Sequence, residues 1–181
     1  MTKPLEHELK IISDVLEGRV QAFEALVRKY QRPIYFMILR MVKTAEEADE
    51  LTQQVFFNAY KGLKGFRAES SFLTWLSKIA LNLTRSSLRK NRKFFIEFDD
   101  RKAKAAIPDE EKEEKRSWIK EFLEVLPSIQ KQVLTLRIYE EKSFQEIADL
   151  LNSKEGTVKV NFHHALKKIK EGWLKKGDEK G

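Results

Sequence analysis

The sequence predicts an all-α fold of two small helical domains joined by a flexible linker. Three observations predict it. Apolar residues recur at i, i+3, i+4 and i+7 through most of the 181 residues, and alternating β pattern is scarce. Only 7 glycines and 4 prolines interrupt the chain, and two Ser/Thr-x-x-Glu capping boxes, at Thr44–Glu47 and Ser143–Glu146, mark helix starts. From Glu97 the periodicity fades and charge thickens into IPDEEKEEKR, residues 107 to 116. That change places a linker at 97–112, between an N-terminal unit, 1–96, and a smaller C-terminal unit, 113–181.

In the first unit, Leu5, Leu9, Ile12 and Leu16 share helical spacing, and Gly18 is a natural stop. A second helix spans about Val20 to Val42, with Phe23, Leu26, Val27, Tyr30, Ile34, Ile38 and Met41 as its apolar side. Pro33 should bend it, because proline removes a backbone donor and crowds the preceding turn. The Thr44 box opens a helix to about Leu63, whose inward stripe is Ala48, Leu51, Val55 and Ala59. Its other side carries Glu50, Gln54, Phe57, Asn58 and Lys61. Phe57 there is either covered by another helix or kept for a partner.

FRAESSF, residues 66 to 72, reads as a polar loop in which Ser70 or Ser71 caps the next helix. At about 100° per residue, Phe72, Leu76, Ile79, Ala80 and Leu83 fall on one arc of that helix. Thr74, Lys78, Asn82, Arg85 and Arg89 fall on the other, and the ridge runs into Lys90, Arg92 and Lys93. Such a ridge either lies along nucleic acid or is a solvated face.

In the second unit, Trp118, Ile119, Phe122 and Leu123 mark a helix, and Pro127–Ser128 open another carrying Ile129, Val133, Leu136 and Tyr139. The Ser143 box starts a short helix with Phe144, Ile147, Ala148 and Leu151 inward, followed by the turn NSKEG. The last helix runs from about Glu155 to Trp173, with Val158, Phe162, Ala165 and Ile169 inward and Lys159, Val160, His163, His164 and Lys167 outward. These are the proportions of either a helix-turn-helix or a generic helical hairpin.

The chain carries a formal charge of +7, a pI near 9.4 and no cysteine. The basic balance suits a polyanion partner, or serves only solubility. Absent thiols exclude disulfides and thiolate metal sites. No apolar run approaches the roughly 20 residues of a membrane span, and MTKPLEHELK lacks the apolar segment of a signal peptide, so a cytoplasmic location is expected. There is no Gly-rich phosphate loop, no metal-ligand spacing and no nucleophile–base pair, which argues against an enzyme, a cofactor or a small-molecule substrate. His163 and His164 are adjacent and point about 100° apart on a helix, which argues against a shared metal.

The chain resembles bacterial RNA polymerase sigma factors of the extracytoplasmic-function (ECF) group, from about residue 20 to 173. AFEALVRKYQRPIY, ADELTQQVFFNAYKGLKGF and FLTWLSKIALNLTRSSLRK are similar to successive segments of sigma region 2, and LPSIQKQVLTLRIYEEKSFQEIADLLNSKEGTVKVNFHHALKKIK to sigma region 4. The resemblance implies that Asp49, Glu50, Gln53, Gln54, Phe57, Asn58 and Lys61 dock on a coiled coil of the polymerase's largest subunit. It implies that Arg67, Ser70, Ser71, Thr74, Lys78, Asn82, Arg85, Arg89, Lys90 and Arg92 engage and open the promoter −10 element, with one base turned out near the loop and Asn82. Thr157, Lys159, Val160, His163, His164 and Lys167 would read the −35 element as duplex, with the second unit also meeting the polymerase flap region. Family members commonly answer stress and are held inactive by an anti-sigma factor, often membrane-linked. Such an inhibitor would cover Phe57 or the DNA ridge, or clamp the two units together.

The pattern is not followed everywhere. Arg19 stands where the family often has an acidic cap, and Ser86 where Asp is common. Val160 and His164 stand where Ser and Arg are common, which puts the −35 sequence in doubt. The rival reading is a stand-alone helix-turn-helix regulator binding duplex DNA without polymerase; it explains the second unit and leaves the first unexplained.

Overall fold

The computed structural model describes residues 6–95 and 126–178; the side chains of 91–95, Trp173 and 175–178 lie outside the described residues. So do the expected linker, its boundaries and the helix marked by Trp118. Among the described residues there are seven α-helices and no strand. They are α1 (Glu6–Leu16), α2 (Phe23–Leu39), α3 (Ala45–Gly62), α4 (Phe72–Phe95), α5 (Ser128–Ile138), α6 (Phe144–Leu151) and α7 (Glu155–Asp178).

Helix α1 ends at Gly18, whose φ of +101° an L side chain rarely adopts. Its inward face is Glu8, Ile12 and Val15, while Leu9 and Leu16 are exposed. This corrects the expected apolar stripe by a rotation of about one residue. The cause is Glu8, a buried carboxylate that accepts hydrogen bonds from the Tyr30 hydroxyl and from Lys29 Nζ (2.6 Å) on α2. A satisfied polar contact therefore sets the helix's facing as much as hydrophobicity does.

The expected second helix begins as a 3₁₀ turn, Val20–Ala22, and becomes α2 at Phe23. It continues through Pro33 to Leu39 and buries Phe23, Leu26, Tyr30, Ile34, Met37 and Ile38. Thr44 Oγ1 accepts the Glu47 amide at 3.1 Å and so caps α3. The Glu47 carboxylate accepts from Ser87 Oγ (2.6 Å), which ties the start of α3 to α4. Helix α3 buries Ala48, Leu51, Thr52, Val55, Phe56 and Ala59 between α2 and α4.

Helix α5 departs most from its predicted pattern. Val133 and Leu136 are buried as expected, but so are Gln130, Lys131, Gln132 and Thr135, while Tyr139 is exposed. The helix is enclosed on nearly all sides, by α7 and α6 and also by α4 of the N-terminal segment. One apolar cluster accordingly runs from Ile12 through Phe72 and Leu81 to Val133, Ile147 and Val158. The two segments thus share a continuous core, with α4 at its centre.

Candidate nucleic-acid interface

The loop before α4 is fixed by its own side chains. Ser71 Oγ accepts the Thr74 amide (3.1 Å) and lies 2.8 Å from the Thr74 hydroxyl, so Ser71 is the cap of the two serines considered. Phe66, Phe72 and Trp75 pack ring against ring with centroids 5.4 to 5.5 Å apart, anchoring the loop's entry to the helix. Between those anchors Ala68 adopts φ +57°, and Arg67 projects exposed.

Along α4, Phe72, Leu76 and Ala80 are buried, and Ile79 and Leu83 pack partly against the core. On the other arc, Asn82, Arg89 and Lys90 are exposed, and Thr74 and Lys78 are half-buried. Arg92 falls on the last turns, its side chain outside the described residues. Arg85 differs from the rest of the ridge. It is half-buried, and its Nε donates to Gln132 Oε1 of α5 at 3.2 Å.

On α3, Asp49, Glu50, Gln53, Gln54, Phe57, Asn58 and Lys61 are all exposed, Phe57 to 58%. Among the described residues, then, no helix covers Phe57. The Lys61 ammonium lies 4.1 Å from its ring centroid.

The α6–α7 pair is a helix-turn-helix. Ser143 Oγ accepts the Glu146 amide (3.2 Å), and the Glu146 carboxylate accepts the Ser143 amide (2.9 Å), completing the capping box. These two bonds hold the Glu146 carboxyl below its ordinary value, the backbone donor contributing most. Asn152 ends α6 in the left-handed region, φ 49°, one of the few conformations that asparagine tolerates better than bulkier residues. Buried Val158 and Ala165, with Phe162 set 5.4 Å from Phe144, orient α7. Thr157, Lys159, Val160, His163, His164 and Lys167 are all exposed on one side of it. Lys159 pairs with Glu155 (2.7 Å) and Lys167 with Glu171 (3.8 Å) along the helix. Exposed pairs of that kind contribute only about 0–1 kcal/mol.

A shallow depression bordered by Arg137, Ile138, Glu141, Phe144, Phe162 and His163 adjoins this face. Sequence reasoning did not find it, nor the seam residues Arg40, Gln132 and Glu140. The available signal was the polar run Gln130–Lys131–Gln132 on a helix otherwise read as core. Among the described residues, no helix is long and apolar enough to cross a membrane, and no group of three His, Asp or Glu is placed to hold a metal.

Residues 26–94 match the family model "Sigma-70 region 2" and residues 116–169 the model "Sigma-70, region 4". The chain is 30% identical over 178 residues to the RNA polymerase sigma-H factor of Pseudomonas aeruginosa, covering 91% of this chain and 92% of that one. It is 28% identical over 176 residues to the ECF sigma factor SigW of Bacillus subtilis, covering 90% and 94%. Among solved structures, the sigma factor RpoE of Bartonella quintana, in complex with the anti-sigma factor NepR, superposes with a TM-score of 0.66 at 18% identity, covering 82% of this chain and 94% of RpoE. CnrH, in complex with the cytosolic domain of CnrY, gives 0.64 at 20% identity, covering 89% and 93%. These two likenesses are of fold.

Proposed function

The chain belongs to the ECF group of the sigma-70 family of RNA polymerase sigma factors, and from that premise we propose how its surfaces divide the work. As an alternative sigma factor it directs transcription initiation, bringing core RNA polymerase to promoter DNA. The family is one of regulatory DNA-binding proteins, and we assign this chain no catalytic step: bond chemistry belongs to the polymerase.

The exposed face of α3, from Asp49 to Lys61, docks on the coiled coil of the largest subunit, with Phe57 as its apolar anchor. The loop from Arg67 to Ser71 and the outer ridge of α4 take the −10 element. Opening needs no fuel. The protein favours the unpaired strand over the duplex, and this differential affinity offsets an unstacking cost of a few kcal/mol. Thr74 and Asn82 offer hydrogen bonds to an extruded base, while Arg85, Arg89, Lys90 and Arg92 hold adjacent phosphates. The outward side of α7 reads the −35 duplex in the major groove. The second unit also meets the flap region of the polymerase. Units 1–96 and 113–181 act on separate stretches of DNA, with 97–112 as tether. An anti-sigma factor restrains the chain, as its fold neighbour RpoE is bound by NepR. The site of action is the cytoplasm, at the nucleoid when active.

One observation carries this reading: region 2 is followed by region 4 in a single chain. A stand-alone helix-turn-helix regulator accounts for the second alone. Run-off transcription with core polymerase and a promoter library is the test. Initiation from a defined set of promoters, with no gel shift of those promoters in the absence of polymerase, is the expected result. Tight duplex binding by the chain alone, with no initiation, would instead establish the regulator.

A further inference from the structure

Building on the −35 role given to α7 above, we propose that His163 and His164 couple promoter binding to proton uptake: their imidazoles carry an added proton when α7 lies against the DNA backbone, so promoter affinity rises as pH falls.

The two imidazoles stand where phosphates of a bound duplex would meet them. Both are exposed on the outward side of α7. His163 is the middle of a row at i, i+4 and i+8, Lys159–His163–Lys167. His164 belongs to the adjacent row, with exposed Lys168 four residues on. Lys159 and Lys167 carry fixed charge, and each has a carboxylate partner along the helix, Glu155 at 2.7 Å and Glu171 at 3.8 Å. The positions three and four residues from the imidazoles hold Lys159, Val160, Asn161, Leu166, Lys167 and Lys168, and no acid.

The elements packed against α7 are α5 and α6. From α5 and the turn after it, Arg137 and Glu141 border the depression that His163 also lines. From α6 the depression receives Phe144, which is uncharged. One cation and one anion thus face His163 from outside its own helix.

Composition sets the pair apart. The chain uses Lys or Arg 35 times and His 3 times, and two of the three histidines are adjacent here. Lysine at either position would hold a phosphate throughout the physiological range. Imidazole ordinarily changes charge between about pH 5 and 8, so its full charge is present only when it is protonated.

The step is transfer of a proton from the buffer to a ring nitrogen. A neutral imidazole offers a phosphate oxygen one N–H and no net charge, whereas imidazolium donates from both nitrogens and is cationic. An opposite charge within about 4–6 Å favours the charged form. DNA therefore prefers the protonated chain, and by reciprocity each added proton tightens DNA binding. Each histidine takes up at most one proton, and the association constant then falls by up to about tenfold per unit rise in pH. The same protonation steepens the log–log salt dependence by about 0.9 per phosphate neutralised.

The test uses holoenzyme assembled with core polymerase and measures promoter affinity at about pH 6 and about pH 8 across a salt series. The His163→Gln/His164→Gln double variant removes the two imidazoles, so titration of the polymerase itself cancels in the comparison. The unaltered chain should gain about tenfold more affinity on acidification than this variant does, which corresponds to one imidazole whose proton affinity DNA raises tenfold. Its salt slope should be steeper at the lower pH by about 0.9 or more, and that steepening should be absent from the double variant. His163→Lys/His164→Lys fixes the charge and should bind near pH 8 as tightly as the unaltered chain binds near pH 6. His7→Gln, on α1, should leave the pH dependence as it is. Because all these side chains are exposed, unchanged helical circular dichroism is expected throughout. If the glutamine double variant keeps the full pH dependence while Lys167→Gln weakens binding at both pH values, proton coupling is overturned and the DNA role of α7 stands. If neither the histidine variants nor Lys167→Gln changes promoter affinity, the −35 reading of α7 falls, and the coupling with it.

Discussion

The Lys61 ammonium stands 4.1 Å from the centre of the Phe57 ring, on a face of α3 turned away from the core. A cation over an exposed ring keeps the aromatic partly occupied in water without burying it. Asp49, Glu50, Gln53, Gln54, Asn58 and Lys61 on the same face of α3 are exposed with it, so the ring sits amid polar groups that form a rim.

Phe57→Ala should therefore separate folding from docking. The ring lies 58% exposed, so its loss should alter stability by less than about 0.5 kcal/mol. As a central aromatic anchor of an interface it should cost about 2 kcal/mol or more, at least thirtyfold in affinity for core polymerase. Urea denaturation and a polymerase-binding titration measure the two effects. A large stability loss with intact binding would remove Phe57 from the interface.

On α4, Arg89 is exposed and Arg85 is engaged with Gln132. Both should weaken promoter opening more than polymerase binding when changed to Gln. Each phosphate contact removed should flatten the log–log salt dependence of open-complex formation by about 0.7 to 0.9. Permanganate footprinting across a salt series checks this. Equal losses in opening and in polymerase affinity would count against a DNA role for the ridge.

Much of this was legible because it depends on local chemistry. Helix starts at Thr44, Ser71 and Ser143 follow from hydroxyls that satisfy orphan amides, and the structure shows each of those bonds. Apolar arcs on α3 and α4 follow from helical period. What the sequence hid is non-local. Glu8 turns α1 because Tyr30 and Lys29, more than 20 positions away, satisfy it. Gln132 is buried because α4 supplies a carbonyl and a guanidinium some 50 positions earlier. Hydropathy scores both as surface residues; only a partner brought by the fold makes their burial affordable. The assigned DNA and polymerase residues came from the family resemblance, and the fold leaves nearly all of them reachable.

His163 and His164 are both exposed on α7 and point in different directions. One of them reading a base should be worth about 1–3 kcal/mol of discrimination, whereas a phosphate contact weakens all promoters alike. His163→Ala and His164→Ala, assayed against single-base −35 variants, distinguish the roles. A base reader loses preference at one position and a backbone contact loses affinity at all. If neither substitution changes anything, the −35 surface lies elsewhere on α7.

The Ser143–Glu146 box predicts an acid limb to stability. The Glu146 carboxyl lies below its ordinary 4.5 in the folded chain, so protonation favours unfolding. Its contribution is complete above that value and is lost as pH falls through the lower, folded value. Ser143→Ala should cost about 1 kcal/mol near neutrality. Glu146→Gln should flatten the stability decline below about pH 4.5, read by urea unfolding at stepped pH. An unchanged acid limb in Glu146→Gln would show that other carboxylates set it.

The Glu8 site predicts a non-additive pair. Burial first, and then the hydrogen bond to Glu8, raises the Tyr30 phenol above its ordinary 10.0. Lys29 is raised chiefly by its bond to Glu8. Both groups therefore stabilise the fold below their ordinary values, and that contribution is lost as pH rises through the raised ones. Glu8→Leu removes the acceptor and leaves the Tyr30 hydroxyl buried without it, at a cost of about 1–3 kcal/mol. Tyr30→Phe alone should also destabilise, because it removes the donor that helps satisfy a buried carboxylate. The double variant should be more stable than the sum of the two losses, since replacing both partners with apolar groups leaves neither orphaned. Tyrosinate absorbance, with Tyr30→Phe as the reference that removes its signal, should show the Tyr30 midpoint falling only part of the way in Glu8→Leu, because burial remains. Strict additivity of the two stability losses would mean that Glu8 and Tyr30 act on the fold independently, and that α1 is held to α2 by its apolar residues alone.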